Sequence, residues 1–225
     1  MELLLVRHGE PDWAPGGTSV DDPGLTAMGR LQAERTAEAL RDLAVDELLV
    51  SPLRRAQETA APIAEALDLA PITAPWLAEI SAGTWEGTPV EVVERAFRHS
   101  RGLPLERQWD GIPGGESFRA FHARVTSGLR ELLDDLGARQ VSDHPPLWRL
   151  QTPKRRVVVV AHAGTNAVAL GHLLGIPPVP WEWERFVSFH ASVSTVAPLE
   201  ISDGWAFSLL RFSDTSHLER ELQTR

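Results

Sequence analysis

Arg7, His8 and Gly9 follow directly on the apolar run Leu3-Leu4-Leu5-Val6. A buried parallel strand reads as such a run, and in open α/β sheets ligands sit beyond the carboxyl ends of the strands. A guanidinium and an imidazole therefore stand where chemistry takes place. No carboxylate lies between them to neutralise the arginine, so their natural guest is an anion. Gly9 lets the backbone turn sharply or come close to a ligand. The same grammar returns at 156–166, where Arg156 and four valines lead through Ala161 to His162-Ala163-Gly164-Thr165-Asn166 and a helix-forming segment through Leu174. Parallel strands of one sheet bring His8 and His162 side by side. The N–H groups of Ala163 and Gly164, at the start of a helix, suit an anion as well. Two histidines in matching strand-end contexts outweigh the plainer reading, that each is a hydrogen-bonded core residue.

Composition narrows that chemistry. A chain of 225 residues suits a single α/β domain with a sizeable core. There is no cysteine, which removes disulfides, thiolate metal sites and every cysteine-nucleophile mechanism. The net charge of −9 repels nucleic acid and anionic membranes, so neither is an expected partner, and an anion must be held by a local pocket. Of the 22 basic residues only Lys154 is a lysine, and arginine suits bidentate phosphate binding. The leading apolar run is too short for a signal sequence, and no segment approaches the ~20 apolar residues of a membrane span. A cytoplasmic location is expected.

The positioning elements follow from hydrophobic pattern and punctuation. Pro11 to Gly24 reads as a long loop shaping the mouth of the site, and Thr26 caps a helix reaching about Ala44, with Leu31 on its apolar stripe. A strand over Glu47 to Val50 precedes Ser51-Pro52-Leu53-Arg54-Arg55, where Ser51 is placed to cap a helix and both arginines lie just past a strand end. Ile72 marks a third short strand. The expected architecture is a three-layer α/β/α sandwich around a mainly parallel sheet, as alternating strands and helices imply. One domain spans 1–225, with a loop and short-helix cap inserted at about 76–114 and an extra loop at about 137–155. The basic cluster Lys154-Arg155-Arg156 closes that loop as a solvated face. A helix begins at Gly115-Glu116-Ser117, a closing strand pair runs from Phe186 onward, and the polar end from Thr215 frays.

Together the residues resemble the histidine phosphatase superfamily, in its phosphoglycerate mutase-like branch. The likeness rests on the RHG motif Arg7-His8-Gly9, on Ser51-x-Leu-x-Arg55-Ala-x-x-Thr59-Ala60, and on Glu79 ahead of Gly83-x-Trp85-Glu86-Gly87. Gly115-Glu116-Ser117 and a late strand ending in His162 complete it. The resemblance implies that His8 attacks phosphorus and carries a phosphohistidine. Arg7, Arg55 and His162 would hold the phosphoryl oxygens, with Ala163 contributing to substrate binding. Glu79 would protonate the leaving oxygen and then activate water, with Glu10 and Glu86 as competing carboxylates. It also implies a small phosphorylated substrate, no cofactor and no metal, and relatives that are often dimers. Trp181-Glu182-Trp183 is the candidate exposed contact for a homodimer. The elementary chemistry agrees, since an attacking imidazole must be neutral and nearby guanidiniums disfavour its protonation.

Three positions depart from the family pattern. Ala14 stands where an amide commonly contacts phosphate, Ala163 where glycine is usual, and Ala82 where a bulkier apolar residue is common, which predicts a roomier leaving-group pocket. Metal-independent phosphomonoester hydrolysis through His8 and Glu79 is the expected reaction. Phosphoglycerate mutase-type transfer is the first alternative, and Arg95, Arg98, Arg101 and Arg107 of the insert are its candidate carboxylate ligands. A metallohydrolase and a non-catalytic phospho-ligand binding module are the others. Trp13, Trp85 and Trp109 are candidates for an aromatic substrate wall.

Overall fold

A computed structural model describes residues 1–143, 146–151 and 155–225. The elements are β1 (Glu2–Arg7), α1 (Ala27–Leu40), β2 (Glu47–Val50), α2 (Arg54–Leu67), β3 (Ile72–Thr73), α3 (Val90–Arg101) and α4 (Leu105–Gln108). They continue with α5 (Phe118–Asp135), β4 (Ala138–Asp143), β5 (Pro146–Leu150), β6 (Arg156–Ala161), α6 (Ala163–Leu173), β7 (Val193–Ile201) and β8 (Gly204–Asp214).

Period-two alternation sorts the apolar strand residues to two faces. Leu3, Leu5, Leu49, Val157 and Val159 pack with Phe121, Val125, Leu129 and Leu133 of α5 and Leu170 of α6. Leu4, Val6, Leu48, Val50, Val158 and Val160 pack on the other side with Leu40 of α1 and Ala56, Ala60 and Ile63 of α2. Burial on both faces explains why these strands carry continuous apolar runs, and it makes the three layers expected from sequence.

The eight strands lie in the order β3-β2-β6-β1-β7-β8-β5-β4. Pairing is parallel across β3, β2, β6 and β1 but antiparallel from β1 through β7, β8, β5 and β4. The sheet is thus parallel only over the half that carries the strand-end histidines, a correction to the mainly parallel expectation. Hairpins supply the remainder, because antiparallel neighbours need only a short turn where parallel ones need a crossover. The segment read as an extra loop at 137–155 forms one of them, β4 with β5, and buries Ala138 and Trp148 in the core. Its prolines and polar alternation hide a strand pair at the sheet edge. Lys154 lies outside the described residues, while Arg155 and Arg156 pair with Glu47 and Glu2 at the amino-terminal strand ends, away from the histidines.

Three local expectations change too. Leu31 faces solvent, and α1 instead buries Gln32, Ala33, Thr36, Ala37 and Leu40. Thr26 does cap α1, accepting from the Gly29 N–H at 3.0 Å, but α2 begins only at Arg54, without a side-chain cap from Ser51. The end of the chain is docked rather than frayed: Leu218 is buried, and Gln32 Nε2 donates to Leu222 O and Thr224 Oγ1 at 2.7 and 2.9 Å.

Candidate active site

Register places the two histidines. Arg7 pairs with Ala161 at the level ends of β1 and β6, so the next residue of each strand, His8 and His162, emerges at the same height. The His8 N–H donates to Ala161 O at 2.9 Å, and the Ser51 N–H to Val160 O at 3.0 Å, which brings the end of β2 level as well. The imidazole centroids of His8 and His162 are 5.1 Å apart, and both rings are buried.

Hydrogen bonding fixes the His8 ring. Its Nδ1 lies 2.7 Å from Gly9 O, and since a carbonyl only accepts, Nδ1 carries the proton and Nε2 keeps a lone pair. Burial holds the His8 pKa well below the ordinary histidine value, and His162, Arg55 and Arg7 push the same way against the Gly9 hydrogen bond. Gly9 is needed here for a close approach to protein, not to ligand: a Cβ on it would sit 2.5 Å from Gly29 O of α1. The Gly9 N–H donates to Thr59 Oγ1, which in turn donates to Arg55 O, so the strand-end turn is tied to α2.

His162 is the residue before α6. Its Nε2 is 2.7 Å from Ser51 Oγ, and its buried Nδ1 has no partner among the described residues. Burial, then Arg55 and Arg7, keeps this imidazole neutral as well. Arg7 donates through Nη1 to Ser188 O at 2.6 Å and through Nη2 to His190 Nε2 at 2.8 Å, leaving Nε unpaired. Arg55, at the start of α2, is 3% exposed; its Nε is unpaired, and its Nη1 has only a long ion pair to Asp22 at 3.5 Å. Trp13 covers the Arg55 guanidinium, 4.6 Å from the ring centroid. Buried guanidinium N–H groups without protein acceptors, beside two neutral imidazoles, are a preorganised receptor for a tetrahedral oxyanion.

Glu79 faces the same cavity. Its Oε2 accepts from the Gly164 N–H at 2.8 Å and its Oε1 from the Ile80 N–H at 3.0 Å. Burial raises its pKa, outweighing those two N–H groups and the pull of Arg55 and Arg7. The first turn of α6 thus spends one N–H on the protein's own carboxylate, while Ala163 lines the cavity. Of the competing carboxylates, Glu10 accepts from the Thr26 hydroxyl and Glu86 from the Asp21 N–H, and neither lines the cavity.

Several supporting residues had no motif to reveal them. His190 orients Arg7, and its own Nδ1 is 2.9 Å from Thr224 Oγ1 in the docked tail. Burial and Arg7 lower its pKa to about 3, so it stays an acceptor for the guanidinium. Arg124 of α5 donates to Trp76 O and Ala78 O and pairs with Glu116, bracing the segment that presents Glu79. Arg124 is half-buried and sits between the apolar positions Phe121 and Val125 of α5, and that placement was the available signal; for His190, ahead of a strand rather than after one, there was none.

The cavity measures about 820 Å³. The Pro11 to Gly24 loop does shape its mouth, contributing Trp13, Ser19, Val20, Asp21 and Asp22. Ala82 and Trp85 line it, but Trp109 packs instead on His122 and Arg119. Trp181 and Trp183, read from sequence as an exposed contact, belong to the cavity wall, where Trp181 is buried against Phe118.

The profile of the histidine phosphatase superfamily, branch 1, matches residues 3–213. The chain belongs to that superfamily. A histidine phosphatase superfamily member described as a probable phosphoglycerate mutase, from Yersinia enterocolitica, is 30% identical over 97% of this chain and 95% of its own. Phosphoserine phosphatase 1 of Hydrogenobacter thermophilus is 36% identical over 97% of this chain and 94% of its own. Among solved structures, a mycobacterial glucosyl-3-phosphoglycerate phosphatase superposes with a TM-score of 0.70 at 25% identity, covering 95% of this chain and 99% of that one. Phosphatases and mutases among its relatives make this chain a phosphoryl-transfer enzyme of the superfamily. No helix among the described residues is long and apolar enough to cross a membrane.

Proposed function

We propose that the chain hydrolyses phosphomonoesters in two displacements at His8. The observation that carries this reading is the His8 tautomer: with Nδ1–H committed to Gly9 O, the Nε2 lone pair is available beside unpaired guanidinium donors. Nε2 attacks phosphorus, the ester P–O bond breaks, and the leaving oxygen takes the proton of neutral Glu79. Water then gives a proton to the Glu79 carboxylate and attacks phosphorus. The P–N bond breaks, its electron pair returns to His8, and phosphate leaves. Splitting the reaction this way converts one difficult substitution into two easier ones. Arg7, Arg55 and His162 Nδ1 stabilise the equatorial oxygens throughout, and Ala163 at the start of α6 borders the same space. Two guanidiniums supply the positive charge that phosphoryl transfer needs, with the neutral His162 ring as a hydrogen-bonding neighbour, so no step is assigned to a metal.

Hydrolysis is favoured over transfer to phosphoglycerate by the position of the cap arginines. A mutase must hold a carboxylated acceptor, yet none of Arg95, Arg98, Arg101 and Arg107 lines the cavity. Arg98 pairs with Glu94, and Arg101 with Glu184. Phosphate release from a panel of small phosphomonoesters in EDTA, with wild type and His8→Ala, tests the proposal. Release by the wild type that EDTA spares and His8→Ala abolishes is expected. Loss on chelation would point to a metallohydrolase, and tight ligand binding without release to a binding module.

A further inference from the structure

We propose that the leaving-group end of the cavity selects an uncharged alcohol bearing an aromatic or heteroaromatic ring and rejects carboxylated esters. The inference rests on the hydrolase reading above and concerns the part of the cavity beyond the phosphoryl clamp. Arg7 and Arg55 are the only cations lining the cavity among the described residues, and both belong to that clamp. The rest of the wall is apolar and aromatic: Val90, Val93 and Phe97 on one face of α3, at helical spacing, with Ile80, Trp85 and Trp183, of which Phe97, Ile80, Trp85 and Trp183 pack on the Ile112, Phe118 and Trp181 cluster. The basic residues of α3 lie off that face: Arg98 and Arg101 are bound to Glu94 and Glu184, and Arg95 is exposed.

The polar groups near this wall have the wrong sign for a carboxylate. Asp21, Asp22 and Glu116 line the cavity as acids. The Glu116 charge is met by Arg124, but Arg124 is consumed by that pair and by two carbonyls. Asp21 and Asp22 accept from the backbone N–H groups of Trp85 and Arg54 at the mouth. An acceptor carboxylate would therefore lose its hydration without gaining a cation. An aromatic ring meets the indole of Trp85 and the ring of Phe97, while the hydroxyls of Ser19, Ser81 and Thr84 serve polar substituents. The small side chain of Ala82 lines the cavity beside Trp85, whose Nε1 donates to Ala82 O at 2.8 Å.

The test compares benzyl phosphate and adenosine 5′-monophosphate with phosphoserine and 3-phosphoglycerate. All four release a primary alcohol, so intrinsic reactivity is similar. The expected result is a kcat/KM for the first pair at least about tenfold above that for the second. Val93→Arg, which adds a cation to the apolar wall, should narrow or reverse the preference. Equal or better turnover of the carboxylated esters by the wild type overturns the inference and leaves the hydrolase reading intact. Absence of release from all four overturns the hydrolase reading instead. Calorimetric binding of the same four esters to the wild-type protein then still decides what the wall prefers.

Discussion

Two side chains with opposed pKa shifts carry the proposed chemistry at the residue scale. His8 is held below the ordinary histidine value by burial and its cationic neighbours, and Glu79 is held above the ordinary carboxyl value by burial. The proposed nucleophile His8 acts when neutral, so activity is lost as pH falls through its lowered pKa. The proposed acid Glu79 acts when protonated, so activity is lost as pH rises through its raised pKa. The pH profile of kcat/KM for an alkyl phosphate should therefore be a bell with Glu79 on its alkaline side. Glu79→Gln keeps the acceptor for the Gly164 N–H but has no proton to give. Turnover of alkyl esters should drop by roughly 10²–10⁴ and the alkaline limb should vanish. Turnover of p-nitrophenyl phosphate, whose phenolate leaves unassisted, should suffer less. An unchanged profile in the variant would move the acid role to another group.

At the scale of elements, level strand ends and close backbone contacts turn separated motifs into one site. The level ends of β1 and β6 set Arg7-His8 beside His162, and this much was legible, because apolar runs ending in histidine announce both the strands and their shared edge. Arg55 and Glu79 were legible only through family pattern. Nothing in their local sequence separates buried Arg55 from its neighbour Arg54, which is exposed and pairs with Glu58. Edge hairpins and the docked tail escaped for a different reason: β4, β5 and the residues from Thr215 are polar on one side, and only tertiary contacts reveal the other. Gly164 shows how tight the assembly is, since a Cβ there would lie 2.4 Å from Glu79 Oε1 and 2.9 Å from Trp183. Gly164→Ala must push Glu79 off its hydrogen bond to α6. A displacement near 1 Å at such a group costs on the order of 10²-fold in rate. We expect kcat to fall by about that factor, with a smaller drop in melting temperature because the crowding against Glu79 and Trp183 is only partly offset by the helix's gain from alanine. A variant with full kcat would show that Glu79 needs no support from α6.

On the scale of the whole molecule, the same burial that tunes the site couples stability to pH. Six histidines, His8, His122, His162, His172, His190 and His217, have pKa values lowered by burial, to about 4 for His172 and about 3 for His190. In the unfolded chain they titrate near pH 6.5. Above that value both states are neutral and the folded state is at full strength. As pH falls below it the unfolded state takes up protons that the folded state refuses, and stability drops until the folded pKa values are reached. Glu79 and Glu182 have the opposite sign: burial raises their pKa values, so their contribution is present below the ordinary carboxyl range and is lost as pH rises through the raised values. Six groups against two leave the histidines dominant. Each histidine kept fully neutral costs the fold up to about 1.4 kcal/mol per pH unit in this window. Differential scanning calorimetry should therefore show the melting temperature falling steeply between pH 7 and pH 5. His190→Gln should flatten that fall, by removing one titrating ring while retaining an acceptor for Arg7. A melting temperature independent of pH over that range would mean that the folded rings take up protons as readily as the unfolded ones, and burial would then not be what keeps His8 neutral below pH 6.5.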